Sequence, residues 1–359
     1  MSAPAATRPA GPGADAALDP PSARAARRAS TRMVGLLALL GVLAAVCLLS
    51  LAWGARDVPL GTVWDALVAP ITGDNDHAVV RDLRLPRTVV GLLAGVALGV
   101  AGALMQGLTR NPIADPGLLG INAGASLAVV GAISLLGVGS ASGFVWFAFL
   151  GAAAAALVVY GVASVGWGGV TPVKLALVGA AFAAVATSAT TVVLLTDERV
   201  LAQYRFWQVG SLVNRPWSTI AVLAPFVLLG LVLAVPTMRF LNAVALGDDL
   251  ARGLGQNVVV GRLLVLAAVV LLCGAATSLA GPIAFVGLLV PHVARAVVGP
   301  DHRWVLPYSA VLGPVVLLVA DVAGRLVARP SEIEAGLVVA VIGAPVLIAL
   351  VRGTKAAGA

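Results

Sequence analysis

Residues 88–108 read TVVGLLAGVALGVAGALMQGL, and this stretch decides the class of protein. It contains no charged side chain, and its length matches the roughly 20 residues that a helix needs to cross the hydrocarbon core of a bilayer. Gly91, Gly95 and Gly99 recur every fourth residue, so they lie on one face of the predicted helix and let a second helix approach closely. The stretch therefore predicts a tightly packed transmembrane helix.

Similar apolar runs recur along the whole chain. Hydrophobic residues make up 60% of the sequence and charged residues 11%, whereas a soluble domain usually carries about 25% charged residues. The composition excludes a soluble fold and predicts an all-α integral membrane protein, a polytopic bundle of about ten transmembrane helices. The predicted spans are residues 33–53, 88–108, 116–138, 144–165, 173–195, 219–238, 260–280, 282–298, 305–325 and 335–351.

The chain divides into a membrane domain and two tails. Residues 1–32 are rich in Ala, Pro and Arg and predict a disordered basic cytoplasmic tail, residues 33–352 form the transmembrane domain, and residues 353–359 form a short cytoplasmic tail. An even number of spans puts both termini on one side, and the excess of Lys and Arg on that side predicts that it is the cytoplasm. The net charge of +7 thus reports orientation and does not indicate nucleic-acid binding.

Two polar segments flank the second predicted span. Residues 83–87, LRLPR, place Arg84 and Arg87 around a proline that begins a helix. These arginines are either interfacial anchors or fixed cations for an acidic partner. Residues 109–120, TRNPIADPGLLG, form a tight connection in which Asp115 is placed to cap the next helix.

The largest predicted cytoplasmic loop contains residues 246–255, LGDDLARGLG. Leu246, Leu250 and Leu254 are spaced four apart, which predicts a short amphipathic helix with one apolar edge. An exposed apolar edge of this kind indicates a partner protein.

Four more segments complete the pattern: AGPIAFVGL at 280–288, PHVAR at 291–295, DHR at 301–303 and GAP at 343–345. With the segments above, they resemble the FecCD-type permeases of ATP-binding-cassette importers, which take up iron–siderophores, haem and cobalamin. The resemblance runs from the first span to the C terminus. It departs at Glu334, where the family commonly has a proline, and this leaves the start of the last helix open.

The resemblance implies a bundle like that of a cobalamin importer permease, in a bacterial plasma membrane, paired with a second copy or a related permease. A separate ATP-binding-cassette ATPase would drive transport, and an extracytoplasmic substrate-binding protein would deliver a ferric siderophore or a related chelate. The chain lacks the Gly-rich phosphate loop of an ATPase, so a transport subunit is expected and not an enzyme. Membrane lipid is the remaining expected partner, and no cofactor or metal is implied.

Three sets of residues acquire roles from the resemblance. Arg84, Arg87 and Arg325 match positions that dock the binding protein through its glutamates. Thr171 and Pro172 match the cytoplasmic narrowing of the passage, and an ordinary turn explains them equally well. The apolar edge of the loop is expected to couple to the ATPase, with these residues: Leu246, Gly247, Asp248, Leu250, Ala251, Arg252, Leu254 and Gly255.

Two other classes of protein are the alternatives. A secondary transporter would place Asp, Glu or His near the middle of a span, but Asp321 and Arg325 lie toward the predicted outer end of theirs. A membrane-embedded enzyme would need convergent catalytic or metal-binding groups. His77, His292 and His302 stand apart from cysteines and clustered carboxylates in the sequence.

Overall fold

The computed structural model describes residues 21–54, 56–139, 141–165 and 170–356. The regular elements in these ranges are all helices, and the ranges contain no strand. A π-helical segment, Val79–Arg84, precedes α4, and a 3-10 helix, Pro116–Leu119, precedes α5. In chain order the α-helices are α1 (Pro21–Ala52), α2 (Leu60–Val68), α3 (Asn75–Ala78), α4 (Leu85–Thr109), α5 (Ile121–Leu136), α6 (Ala141–Ser164), α7 (Pro172–Thr196), α8 (Glu198–Gln208), α9 (Trp217–Val244), α10 (Asp248–Gly253), α11 (Val258–Ala280), α12 (Val286–Val298), α13 (His302–Val327) and α14 (Ala335–Ala356).

Each predicted span coincides with one apolar helix, which confirms the all-helical membrane bundle. Seven helical segments in the described chain are long and apolar enough to cross a membrane, among them α1, α4 and α13. Helices α5 and α12, which match two of the predicted spans, are shorter, at 16 and 13 residues. The 13 residues of α12 reach only about 20 Å, less than the roughly 30 Å of a hydrocarbon core.

Glycines in the left-handed region mark the irregular backbone that precedes α5 and α12. Gly120 has a φ of +68° directly before α5, and Gly281 has a φ of +77° after α11. Both glycines are buried. Irregular backbone is tolerated in membrane proteins where it is buried in protein, so each short helix continues into an extended or 3-10 segment inside the bundle.

The two ends of the chain differ from the predicted boundaries. Helix α1 begins at Pro21, so residues 21–32 extend the first helix and are not part of a disordered tail. Their Ala- and Arg-rich sequence has high helix propensity, which accounts for the extension. Residues 1–20 lie outside the described residues. At the other end α14 runs to Ala356, and residues 357–359 also lie outside.

Helix α4 forms the centre of the bundle, with α9, α11, α12 and α13 packed around it. Most of its side chains are buried. A Cβ atom added to Gly95 would lie 2.4 Å from Cα of Pro314, and one added to Gly99 would lie 2.4 Å from the carbonyl oxygen of Ser309. The predicted glycine face is therefore confirmed, and its partner is α13.

Large apolar side chains are exposed on the outer face of the bundle. Examples are Leu37 on α1, Leu157 on α6 and Leu195 on α7. An apolar outer face suits contact with lipid or with another membrane-embedded chain, and a soluble monomer rarely exposes so much of it. The apolar core and the apolar outer face together indicate that the helices lie in a membrane.

Candidate functional site

One end of the bundle, here called the arginine end, brings together the three predicted docking residues. Arg84 precedes α4, Arg87 lies in its first turn and Arg325 lies in the last turn of α13. All three line one open cavity of about 610 Å³. The other charged side chains that line it are Arg56, Asp82, Arg215 and Glu332.

Arg87 is held by two carboxylates. Its Nε lies 3.0 Å from both carboxylate oxygens of Asp321, and its Nη2 lies 2.8 Å from Oδ1. Its Nη1 donates to Oε2 of Glu332 at 2.6 Å. The planar guanidinium thus forms a two-pronged contact with a buried carboxylate. This contact ties α4 to α13 and to the segment before α14.

Arg325 connects α13 to the end of α1. Its Nη1 donates to the carbonyl oxygens of Ser50 and Trp53 at 3.0 and 2.9 Å, and its Nη2 donates to Oγ of Ser50 at 3.0 Å. The same Nη2 lies 3.0 Å from Oδ2 of Asp321, one helical turn away. Asp321 is therefore shared between Arg87 and Arg325.

Arg84 completes the cap on α1. Its Nη1 donates to the carbonyl oxygens of Leu51 and Ala52, both at 2.7 Å, and its Nη2 donates to the carbonyl oxygen of Arg56. The last carbonyls of a helix have no partner within the helix. Arg84 and Arg325 supply the missing donors for α1.

The three arginines are therefore not free cations on an open surface. Arg84, Arg87 and Arg325 are 6%, 7% and 2% exposed. Each donates hydrogen bonds to carbonyl or carboxylate oxygens of the same chain. Sequence reasoning placed them at one end but missed what their guanidinium groups contact. Because Glu332 and Asp321 are more than 200 positions from Arg87, only the fold brings these charges together.

Arg215 is a further cation at the arginine end that sequence reasoning missed. It lies in the non-helical segment 209–216 between α8 and α9 and is 9% exposed. Burial lowers its pKa, and the negative charge of Glu334 acts in the opposite direction. The sequence signal that could have identified Arg215 is its position directly before Pro216, between the predicted spans 173–195 and 219–238.

Residues 246–255, here called the coupling loop, lie at the opposite end of the bundle. Residues 248–253 form α10. Leu246, Leu250 and Leu254 are 62%, 61% and 63% exposed. The short helix with an exposed apolar edge is therefore confirmed. Its contact with an ATPase stays a prediction.

Other residues of the coupling loop shape this helix. Gly247 and Gly255 have φ values of +111° and +79°, a region of backbone conformation that favours glycine. Ala251 lies within α10 and is fully buried. Arg252 pairs with Asp249 at 2.8 Å on the exposed face.

Asp248 anchors α10 to the rest of the protein. Its Oδ1 lies 2.9 Å from Nη2 of Arg110, and its Oδ2 lies 2.6 Å from Nη2 of Arg262. Nη1 of Arg262 also donates to the carbonyl oxygen of Val170 at 3.0 Å. Arg262, which sequence reasoning missed, therefore links the coupling loop to the segment that carries Thr171.

Thr171 and Pro172 form the start of α7. Oγ1 of Thr171 accepts a hydrogen bond from the backbone N–H of Lys174 at 3.3 Å, and Pro172 takes the first helical position. Both are half-buried. This is the geometry of an ordinary capped helix start. The gate role of these two residues stays a prediction.

Two of the three histidines take part in hydrogen bonds within the chain. Nδ1 of His77 accepts the backbone N–H of Ile71 at 3.0 Å, and Nδ1 of His302 lies 3.0 Å from Oδ1 of Asn242. Within the described ranges, no group of three or more His, Cys, Asp or Glu could hold a metal ion.

Comparison with protein families decides the assignment. The model of the FecCD transport family matches residues 42–353. The chain belongs to the FecCD transport family. The match extends from within α1 to within α14 and includes the coupling loop and the arginine end. It confirms the resemblance that the sequence segments predicted.

Individual relatives cover nearly the whole chain. The ferric enterobactin transport system permease protein FepD of Escherichia coli (strain K12) is 47% identical over 331 residues, which covers 92% of this chain and 98% of that protein. The Fe(3+)-citrate import system permease protein YfmD of Bacillus subtilis (strain 168) is 40% identical over 334 residues, with 91% and 97% covered. A solved inward-facing conformation of a metal-chelate type ABC transporter aligns with a TM-score of 0.76 at 25% identity, covering 89% of this chain and 98% of that chain.

Proposed function

We propose that this chain is the permease subunit of an ATP-binding-cassette importer that moves a ferric siderophore, or a related chelate such as cobalamin or haem, into the bacterial cytoplasm. A separate ATPase subunit supplies the energy and an extracytoplasmic binding protein delivers the chelate. A second permease copy or a paralogue completes the passage, and both termini lie in the cytoplasm. FecCD membership over nearly the whole chain carries the proposal, and relatives named for enterobactin and citrate support ferric chelates as the cargo.

The coupling loop is the proposed contact with the ATPase. Its three leucines offer an apolar edge, and burying one leucine side chain contributes about 1.5–3 kcal/mol. Such an edge fits a groove on a partner protein, the mode by which amphipathic helices are recognised. Because Asp248 fixes α10 to Arg110 and Arg262, a force on the leucines passes into α4 and α11.

The arginine end is the proposed dock for the binding protein. Its large cavity is lined by five arginines and two carboxylates, so its field attracts acidic side chains. Arg84, Arg87 and Arg325 are engaged inside the chain, and they contribute through this field. Arg56, whose side chain is 66% exposed, is the lining arginine best placed for direct contact. We expect association with the binding protein to weaken as salt rises.

Thr171 and Pro172 are the proposed gate on the cytoplasmic side. The hydrogen bond from Arg262 to Val170 supports this role, because it joins the coupling loop to the start of α7. Cysteines introduced at Thr171 in both permease copies should crosslink in one nucleotide state and not in another. A crosslinking yield that ignores nucleotide would contradict the gate.

A deletion strain tests the function and the cargo together. Growth is measured on single iron sources, and cobalamin uptake is measured beside it. We expect loss of growth on at least one ferric chelate and rescue by the intact gene. Normal growth on every chelate, together with normal cobalamin uptake, would contradict the proposal.

A further inference from the structure

Two cavities meet at Arg215. The first is the arginine-lined cavity of about 610 Å³, and the second, of about 340 Å³, lies against α8 and the start of α14. Val213, Asn214 and Arg215 line both. The non-helical segment before α9 therefore forms the wall between them, and Arg215 is the cation in that wall.

The guanidinium of Arg215 differs from the other arginines of the first cavity. Arg84, Arg87 and Arg325 are satisfied by carbonyls or carboxylates of the chain, and Arg56 pairs with Asp76 at 3.1 Å. The Nε of Arg215 is buried and has no hydrogen-bond partner among the described residues. Burying a cation whose hydrogen bonds are incomplete is costly, and a bound anion would offset that cost at Arg215.

Two further unpartnered polar atoms border the second cavity. Nε1 of Trp207 and Oε1 of Gln203 are buried without a hydrogen-bond partner among the described residues. Both side chains line the second cavity together with Arg215. An indole N–H is only a donor, and the Gln side chain offers a donor or an acceptor according to its orientation. Buried polar atoms normally have partners, so three exceptions beside one cavity indicate a polar ligand.

We propose that Arg215, with Trp207 and Gln203, contacts the chelate at the mouth of the passage and favours anionic, oxygen-rich ferric chelates over neutral ones of similar size. This inference rests on the proposed function and specifies its substrate class. Carboxylate and catecholate oxygens accept from the planar fork of an arginine. The positive field of the lined cavity raises the local concentration of an anion. A neutral chelate gains neither advantage.

Glu334 offers the competing explanation for Arg215. It lines the second cavity and its charge acts on Arg215, although none of the salt bridges among the described residues joins the two side chains. If Arg215 served only to balance Glu334, removing both charges would restore a wild-type protein. If Arg215 contacts the chelate, removing both charges leaves the defect for anionic cargo.

Uptake of two radiolabelled ferric chelates, an anionic carboxylate or catecholate complex and a neutral hydroxamate complex, tests this inference in cells that hold the whole importer. Arg215→Gln should raise the KM for the anionic chelate about tenfold, equivalent to about 1.4 kcal/mol, and leave the neutral chelate within about twofold. Arg215→Lys should give a smaller rise, because lysine keeps the charge and loses the fork. The control Arg81→Gln removes an exposed arginine from the same end, outside the cavity lining, and should change neither KM.

The outcomes separate the two proposals. Equal losses for both chelates in Arg215→Gln, or full recovery in the double variant with Glu334→Gln, would overturn the inference and leave the proposed function standing. Failure of the wild-type importer to take up any ferric chelate would contradict the proposed function, and this inference with it. Uptake of the neutral chelate by Arg215→Gln serves as the check that the variant is folded and inserted.

Discussion

Replacing Asp248 by Asn should loosen α10 from the body of the protein. Asp248 contacts Arg110 at 2.9 Å and Arg262 at 2.6 Å, and Arg262 contacts the carbonyl oxygen of Val170 at 3.0 Å. The amide keeps the size of the side chain and removes its charge. Both arginines then lose their carboxylate partner, and the link from the coupling loop toward α7 weakens.

The size of the effect follows from the exposure of each partner. A hydrogen bond to a charged group contributes about 1.5–3 kcal/mol, and this range applies to Arg262, whose side chain is 18% exposed. The contact with Arg110, which is 39% exposed, is screened by water and contributes about 0–1 kcal/mol. We therefore expect Asp248→Asn to lower the free energy of unfolding by about 1.5–4 kcal/mol.

A double-mutant cycle with Arg262→Gln isolates the pair. Unfolding in detergent micelles should give a coupling energy of about 1–2 kcal/mol between Asp248 and Arg262. The matched control is the cycle of Asp249→Asn with Arg252→Gln, a pair in the same helix that is exposed on both sides and should show no measurable coupling. ATP hydrolysis stimulated by the binding protein should fall in Asp248→Asn while basal hydrolysis persists. A coupling energy no larger than that of the control pair would refute the reasoning.

Three further changes probe the coupling loop, the helix packing and the arginine end. Leu250→Asp with Leu254→Asp should abolish copurification with the ATPase, because the exposed apolar edge is lost; unchanged copurification and unchanged stimulated hydrolysis would contradict the coupling role. Gly95→Ala should cost about 1–3 kcal/mol because its Cβ would lie 2.4 Å from the backbone of α13, whereas Gly131→Ala, with open space around it, should not lower the melting temperature. Arg325→Glu should abolish folded protein, since two carboxylates would then face each other one helical turn apart; recovery of stable, inserted protein would contradict the buried cap.

The buried positions of Arg84 and Arg325 determine which experiment can test docking. Charge reversal at Arg84 and Arg325 would be harmless to insertion if both were exposed docking residues. In the structure both cap the end of α1 from within the bundle. Salt dependence of binding-protein association is therefore a cleaner test of docking than charge reversal at these two positions.

Composition and spacing sufficed for much of the fold. Apolar runs of span length locate every membrane helix, because length and hydropathy alone decide them. The repeat of Gly91, Gly95 and Gly99 indicates close packing, and the spacing of the leucines predicts the exposed edge of the coupling loop. Each of these features is local, so one stretch of sequence is enough to detect it.

Features that depend on distant contacts were beyond sequence reasoning. Arg87 binds two carboxylates, Asp321 and Glu332, that lie more than 200 positions away in the sequence. The same holds for the link from Arg262 to Val170. The shortness of α12 also escaped prediction, because hydropathy does not reveal that the backbone leaves the helix between Gly281 and Phe285.

Transport by the purified assembly tests the central claim most directly. Proteoliposomes that contain this chain with its ATPase, and that are supplied with the chelate-loaded binding protein, should accumulate radioactive iron only when ATP is available to the ATPase. Liposomes without the chain should accumulate none. Iron uptake driven by an ion gradient without ATP or the ATPase would contradict the account, because it would identify a secondary transporter.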